Sequence, residues 1–349
     1  MTDDQQTGEN TPQTSPEVSE QMQVRLDKRA RIIDEGGQAY PVDLLRDHTL
    51  KQIREKYTDE AGELTLEVGE EVPDDVVTIG GRVMFLRNTG KLCFTSLQDG
   101  FTESSNGERL QVMLSKALVG EQALAAWKSD VDLGDFVWVK GFVARSRRGE
   151  LSVMATEWKM ASKALRPLPT LHKELGEETR VRRRYADLVA REEARQMVRV
   201  RAAITRAIRT TLDELGFLEI ETPILQLVHG GAAARPFNTH LNAFDIDMSL
   251  RIALELYLKR AMVGGMDRVY EMGRVFRNEG IDSNHSAEFT MLEAYMSWGN
   301  QFTIAEVIQQ IIVRAADALG GRQIQTEQGV IDLDLSLIHI SEPTRPLYI

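Results

Sequence analysis

The chain has little cysteine, no long apolar run and no excess of positive charge, and each scarcity removes a class of protein. Cys93 is the one cysteine in 349 residues, so an internal disulfide framework and a multi-thiolate zinc site are both excluded. That pattern fits a reducing compartment, and a cytoplasmic location is expected. No apolar stretch approaches the roughly 20 residues that a membrane span needs. The opening MTDDQQTGENTPQTSPEVSE has neither a basic region nor an apolar one, so no secretory signal and no membrane partner are expected. Lysine and arginine total 42 against 53 aspartate and glutamate, a formal charge of −11. Blanket electrostatic binding of nucleic acid is therefore excluded, and any RNA must be met by a local patch. Residues 1–20 also lack aromatics and have few apolar side chains to offset ordering entropy, which predicts a disordered tail.

What is present divides the chain into segments of different character. A helical segment is expected over 21–75, starting with an amphipathic helix from Val18 to Asp34 whose stripe is Met22, Leu26 and Ile33 and which Gly36-Gly37 stop. Between 76 and 165 come five short β-branched or aromatic runs, VVTIGGRVMFLR, KLCFTSLQD, RLQVML, DFVWVKGFVARS and GELSVMATEWKM, spaced by turn residues. Five such runs predict a small barrel of the OB type. The insertion FTESSNGE lengthens a surface loop between two of them. Residues 166–190, with Pro167, Pro169 and the basic run RVRRRYADL, read as a linker.

From 191 to 335 helices and grouped strands mix. Met197, Ile204, Ile208, Leu212 and Leu215 mark a long amphipathic helix ending at Gly216 and running into a strand, FLEIETP. Thr303 and Glu306 suggest a capping box for a later helix with the stripe Val307, Ile308, Ile311, Ile312 and Ala315. The fold class is thus α+β and multidomain: an OB-type barrel, then an antiparallel sheet with flanking helices. The final SLIHISEPTRPLYI continues none of these patterns, and 336–349 read as a non-native tail, with a natural irregular terminus as the competing reading.

The stretch RVFRNEGIDSNHSAEFT carries the chemistry. Two strands, DRVYEMGRVFRNE and AEFTMLEAYMSW, flank a loop rich in turn residues. Period-two alternation puts Glu271, Val275, Arg277 and Glu279 on one face of the first and Tyr270, Met272 and Phe276 on the other. On the second it separates Phe289, Met291, Glu293 and Tyr295 from Leu292, Ala294, Met296 and Trp298. A face holding an arginine, carboxylates, a ring and a phenol is poor core but good lining for a polar ligand with a planar part. A solvated face laced with ion pairs is the alternative that periodicity leaves open.

Phe-Arg-any-Glu, then His285 and Glu288-Phe289-Thr290, resembles motif 2 of the class II aminoacyl-tRNA synthetases. LGFLEIETPIL resembles their motif 1, and VHGGAAARPFNTHLNAFDIDMSLRIALELYLKR follows as in the lysyl-tRNA synthetases, actinobacterial members above all. The resemblance covers about 22–334, and the barrel resembles the anticodon-binding domain of these enzymes. It implies that Arg277 contacts the lysine carboxylate and the α-phosphate of ATP, as the catalytic residue. It implies Phe289 stacked on adenine, Glu279 at the adenine amino group and His285 at the outer phosphates. Lysine would be held by Gly231, Glu255, Glu293 and Tyr295 together with Arg277. Arg87, Phe94, Gln111 and Glu150 would meet the anticodon of tRNA(Lys), and Pro223 would lie at a homodimer interface. The cluster Arg180, Arg182, Arg183 and Arg184 is offered to the tRNA backbone, with a solvated face as the competing reading.

The implied function is lysine-tRNA ligase, using ATP, L-lysine and Mg2+. Leu254 stands where the family usually has proline, and Ser286-Ala287 replace a commoner Asn-Pro. No motif 3 follows, and the acidic residues that would bind magnesium are absent with it, so no metal ligand is expected within this chain and the 349 residues are expected to be an inactive fragment. The alternatives are a non-catalytic tRNA-binding fragment and another class II ligase, aspartyl- or asparaginyl-type or protein-lysylating. The barrel argues against a protein-lysylating paralogue, and GGAAARPF with Glu293-Ala-Tyr295 argues for lysine.

Overall fold

A computed structural model describes residues 19–169, 175–282, 284–326 and 329–333. The chain divides into two compact units after Met197. The expected tail before residue 19 and the expected non-native segment 336–349 lie outside the described residues. Among the described residues no helix is long and apolar enough to cross a membrane.

The first unit opens with α1 (Glu20–Asp34), whose N-cap Ser19 accepts from the Met22 amide at 3.3 Å. Ser19 and Glu20 therefore belong to the helix rather than to the tail assigned to 1–20. The inward side is also displaced from the expected stripe. Arg25 is buried and donates to the carbonyls of Ala164 and Leu133, and Ile32 packs on the barrel while Ile33 is exposed. An arginine stem covers apolar surface as well as an aliphatic residue does when its head finds carbonyls. α2 (Leu50–Lys56) follows, with a capping box between Thr49 and Gln52.

The barrel consists of β1 (Glu71–Asn88), β2 (Leu92–Gln98), β3 (Arg109–Ser115), β4 (Phe136–Arg145) and β5 (Leu151–Ser162), closed in the order β1-β2-β3-β5-β4. β3 and β5 pair in parallel and the other neighbours antiparallel. β1 begins at Glu71 rather than at Val76, because the chain pairs with β4 on both sides of an irregularity that holds Pro73. Closure leaves no free edge, and the inward half of each strand forms a continuous core of Val, Ile and Leu. Between β3 and β4 lie α3 (Lys116–Val119) and α4 (Glu121–Asp130); Trp127 of α4 is fully buried and meets Trp158 edge to face at 5.1 Å. The loop FTESSNGE is tethered, since Asp99 accepts from the amides of Glu108 and Leu50 and Ser105 is buried. Lys163, fully buried, gives its ammonium to Asp132, Asp135 and the carbonyl of Asp130, each at 2.6 Å.

One register detail in the barrel positions a surface. Val83 pairs with Leu97 and Phe85 with Ser96, so Met84 is an extra residue, a β-bulge. Downstream of it, the expected linker 166–190 contains two helices, α5 (Glu177–Arg182) and α6 (Arg184–Ala190). The buried carboxylate of Asp187 pins α6 by accepting from Arg184 and Arg191.

α7 (Glu192–Glu214) leads into the second unit and stops at Gly216, whose φ of 79° suits a residue without Cβ. Leu212 is buried and Ile208 and Leu215 pack beside it, whereas Met197 is exposed and is no part of the stripe. The predicted strand FLEIETP pairs only over β6 (Leu218–Glu219), parallel to β10 (Arg268–Phe276), with one further bond from the Ile220 amide to the Tyr270 carbonyl. Beyond it Thr222 turns its hydroxyl to Glu271, and Pro223 has no N–H to extend the ladder. β7 (Leu225–Gln226), β8 (Asn238–Leu241) and β9 (Ile246–Leu250) make a second small sheet, and α8 (Glu255–Val263) precedes β10.

β10 pairs antiparallel with β11 (Glu288–Met296), giving the order β11-β10-β6. One face, with Tyr270, Leu292, Ala294 and Met296, packs with α7 and with α9 (Gln301–Asp317); the other, with Val269 and Val275, packs with Leu254 and Leu258. Trp298 lies past the end of β11 at φ 61° and 99% exposed, so alternation no longer assigns it to the apolar face. The cap of α9 is Asn300, which accepts from the amides of Phe302 and Thr303, with Thr303 as the reciprocal N3 residue rather than the cap itself. Asparagine caps at least as well as threonine, and it lies one turn earlier. The buried stripe shifts accordingly to Ile304, Val307, Ile311 and Ala316, and Ile308 is exposed. β12 (Gln323–Thr326) and β13 (Gly329–Asp332) pair as a hairpin.

Candidate functional site

Antiparallel register decides which side chains meet on the ligand side of β10 and β11. Glu271 stands opposite Glu293, Val275 opposite Phe289 and Val269 opposite Tyr295, and directly opposed residues share a face. Just past β10 the Arg277 amide bonds the Ala287 carbonyl at 2.8 Å, which fixes the arginine beside the start of β11. Its guanidinium lies 5.2 Å from the centre of the Phe289 ring. Arg277, Glu279, His285 and Phe289 line one cavity of about 350 Å³, with Ser286 and Asn284 at its loop side. A planar cation on a ring beside a carboxylate and an imidazole can hold a planar base and its phosphates.

The loop is organised by Asp282. Its carboxylate accepts from the amides of Asn284 and His285 and from Nδ1 of His285, all at 2.7–2.8 Å. The Asn284 amide first, then the imidazole, hold the Asp282 carboxyl below the usual carboxylate range. Glu279 accepts from the Arg235 amide at 3.3 Å, linking the cavity to the segment after Gly231.

A second group of side chains sits further along the same face. Glu293 accepts from the Leu254 amide at 2.9 Å through one oxygen and from the Tyr295 hydroxyl at 2.8 Å through the other. A proline at 254 would have no N–H to donate, so the departure there adds a donor to Glu293. Burial, then the bond to Glu293 and the nearby charge of Glu255, push the Tyr295 hydroxyl far above its ordinary range, so it remains a donor. Gly231 has φ 85°, and a Cβ on it would lie 2.9 Å from Cβ of Glu255, so glycine there lets the two backbones close. Glu255 binds the Lys259 ammonium at 2.6 Å, and that ammonium lies 6.0 Å from the Tyr295 ring. Gly231, Glu255, Glu293 and Tyr295 thus form one acidic, tyrosine-backed cluster.

One network on this face was not foreseen. Arg251 and Glu271, both buried, pair at 2.6 Å; Arg251 also donates to the carbonyls of Thr222 and Arg274, and the Thr222 hydroxyl donates to Glu271. Gly273 makes room, since a Cβ there would lie 2.3 Å from the guanidinium. The alternation did place Glu271 on the site face; its partner lies twenty residues upstream in a strand-end segment and left no local signal.

On the barrel, Arg87, Phe94, Gln111 and Glu150 line a single cavity of about 790 Å³ on the outer face, joined by Phe85, Arg147 and Arg148. Ser152 donates to Gln111 at 2.9 Å and fixes the amide's orientation. In the basic cluster, Arg182 pairs with Glu178, Arg184 with Asp187, and Arg180 donates to the Leu175 carbonyl. Pro223 is exposed and is followed by exposed Ile224, Leu225, Leu227 and Val228.

Residues 176–344 match the family described as tRNA synthetases class II (D, K and N), and residues 77–161 match the OB-fold nucleic acid binding domain. The chain thus carries a class II tRNA synthetase segment behind an OB-fold segment. It is similar to proteins named lysine–tRNA ligase from Kineococcus radiotolerans, at 56% identity over 91% of this chain and 61% of that one, and from Mycobacterium bovis strain BCG, at 54% over 92% and 62%. It is also 42% identical, over 93% of its length, to 28% of a lysylphosphatidylglycerol biosynthesis bifunctional protein from Rhodococcus jostii. The chain spans about three fifths of the length of the lysine–tRNA ligases it matches. The cavity at Arg277 and the acidic cluster beside it lie in the segment matched by the synthetase family, and the 790 Å³ cavity lies in the segment matched by the nucleic-acid-binding one.

Proposed function

We propose that these residues contribute the adenylate-forming face and the anticodon-reading barrel of a lysine-tRNA ligase. The observation that carries this reading is the adjacency, on one face of β10–β11, of the 350 Å³ cavity at Arg277 and Phe289 and the acidic cluster at Glu293 and Tyr295. In the first step the lysine carboxylate attacks the α-phosphate of ATP and pyrophosphate leaves; in the second the 3′-terminal adenosine hydroxyl of tRNA(Lys) attacks lysyl-adenylate and AMP leaves. Arg277 holds the carboxylate against the α-phosphate and neutralises charge that grows at the phosphorus. Phe289 stacks on adenine, Glu279 accepts from its amino group and His285 meets the outer phosphates. Glu255, with Gly231 giving it room, takes the α-ammonium, and Glu293 with Tyr295 takes the ammonium at the far end. The ion pair of Glu255 with the Lys259 ammonium supports that role.

Magnesium supplies charge neutralisation to the phosphates when bound. Of the carboxylates at this site Glu255, Glu279 and Glu293 are given to the substrates and Glu271 balances the buried Arg251, so none is assigned to the metal. On the barrel, Phe94 stacks an unpaired base while Gln111, Arg87 and Glu150 read its edge. Pro223 and the apolar run after it fit a homodimer interface. A cytoplasmic location fits the buried free thiol of Cys93.

ATP–pyrophosphate exchange by the ligase, with amino acids compared one at a time, tests the substrate. Stimulation by lysine is expected, and stimulation by aspartate or asparagine instead would overturn the reading.

A further inference from the structure

The bulge at Met84 decides which way the next residues of β1 face. Val83 points into the barrel and is fully buried, so unbroken alternation would turn Phe85 and Arg87 inward as well. With Met84 inserted, Leu86 packs on the core while Phe85 and Arg87 face out. An inward Arg87 would be an unpaired charge in an apolar core, which gives the bulge a reason. It does not explain why position 85 is aromatic. Phe85 is 53% exposed and stands opposite the small Ser96, while Phe94, opposite Arg87, is its diagonal neighbour on the same face. Both rings line the 790 Å³ cavity, whose rim at the β4–β5 turn carries exposed Arg147 and Arg148. An exposed ring beside a second ring, with cations at the edge, is the arrangement by which single-stranded RNA is held without much selectivity at each stacked base.

We propose that Phe85 is a second base-stacking platform, so that the barrel face takes two unpaired bases, one on Phe94 and one on Phe85, with the bulge at Met84 as the device that aims it. The proposal rests on the reading of this face as an RNA surface, and its test keeps the two apart. Binding of the 349-residue chain to a fluorescein-labelled RNA hairpin with an unpaired loop is followed by anisotropy. Phe85→Ala is expected to weaken binding about tenfold, within the range of one base–aromatic stack. Phe85→Tyr restores it and Phe85→Leu does not, and the loss multiplies with that of Phe94→Ala. Phe85→Ala leaves the salt slope unchanged, whereas Arg147→Gln or Arg148→Gln lowers it. An abasic site at one loop position removes the penalty of Phe85→Ala, and an abasic site at another removes that of Phe94→Ala. Wild-type affinity in Phe85→Ala beside a weakened Phe94→Ala overturns the second platform and leaves the RNA reading standing. One abasic position that erases both penalties overturns the two-base arrangement in favour of a sandwich. Failure of the unaltered chain to bind the hairpin overturns the RNA reading itself. Equal unfolding temperatures of the variants keep a folding defect from passing as lost binding.

Discussion

On the barrel, the residues facing the 790 Å³ cavity hang outside a core that does not need them; on the β10–β11 sheet, the residues of the candidate site face also hold the sheet to its surroundings. Phe85, Arg87 and Glu150 could be cut back without opening a void, because the strands beneath are closed on themselves and packed from within. Glu271 and Glu293 have no such independence. Glu271 balances the buried Arg251, and Glu293 is bonded to the first residue before α8. A side chain on the closed scaffold can thus be altered alone, while on the β10–β11 face the site residues are tied to packing.

The contrast breaks most sharply at the buried ion pair. Glu271→Gln leaves Arg251 charged and short of a partner, with an expected loss of about 3–5 kcal/mol in chemical denaturation. Replacing Arg251 and Glu271 together by methionine recovers most of it, and an unrecovered double variant would show that packing rather than charge is decisive. Trp127→Ala gives the barrel its own comparison: a large buried ring is lost and about 3–5 kcal/mol goes with it, yet Arg277 and its cavity are untouched. Smaller is Phe94→Ala, which should weaken RNA binding by about 1–3 kcal/mol and move stability by less than about 0.5 kcal/mol. A stability loss as large as that of Trp127→Ala would refute the separation of site from core. The smallest effect concerns pH. The carboxyl of Asp282 is held low in the folded loop, so its anchoring of the loop is complete above its usual value of about 3.9 and is lost as pH falls through the lower folded value. The amide resonance of Asn284 should keep its Asp282-bonded position from pH 7 to 5 and leave it only below the usual carboxylate range.

How much of this was legible in the sequence follows the same division. Five spaced β runs were enough for the barrel, and alternation sorted Glu271 to one face of the first strand and Phe289, Glu293 and Tyr295 to one face of the second, while the register that joins those faces comes from the pairing of β10 with β11. Where the pattern was degenerate it misled. RVMFLR is apolar nearly throughout, so nothing local marks Met84 as the bulged residue or turns Phe85 outward. Ile32 and Ile33 are chemically alike, and only the angle at which α1 meets the barrel chooses the first. Asn300 and Thr303 both cap well, and the end of β11 at Met296 decides between them. Arg251 was silent because the carboxylate that explains it lies on another strand, and the Leu254 amide because backbone donors have no letter of their own.

If ATP binds at Arg277 and RNA at Phe94, the two ligands are separable by a crossed binding experiment on the 349-residue chain. Affinities for ATP and for the RNA hairpin are measured on Arg277→Ala and on Phe94→Ala under one buffer. Arg277→Ala should lose ATP by at least about tenfold, as expected for a charge-assisted contact, and keep RNA, while Phe94→Ala should keep ATP and lose RNA. Equal losses of both ligands in either variant, or undiminished ATP affinity in Arg277→Ala, would contradict it.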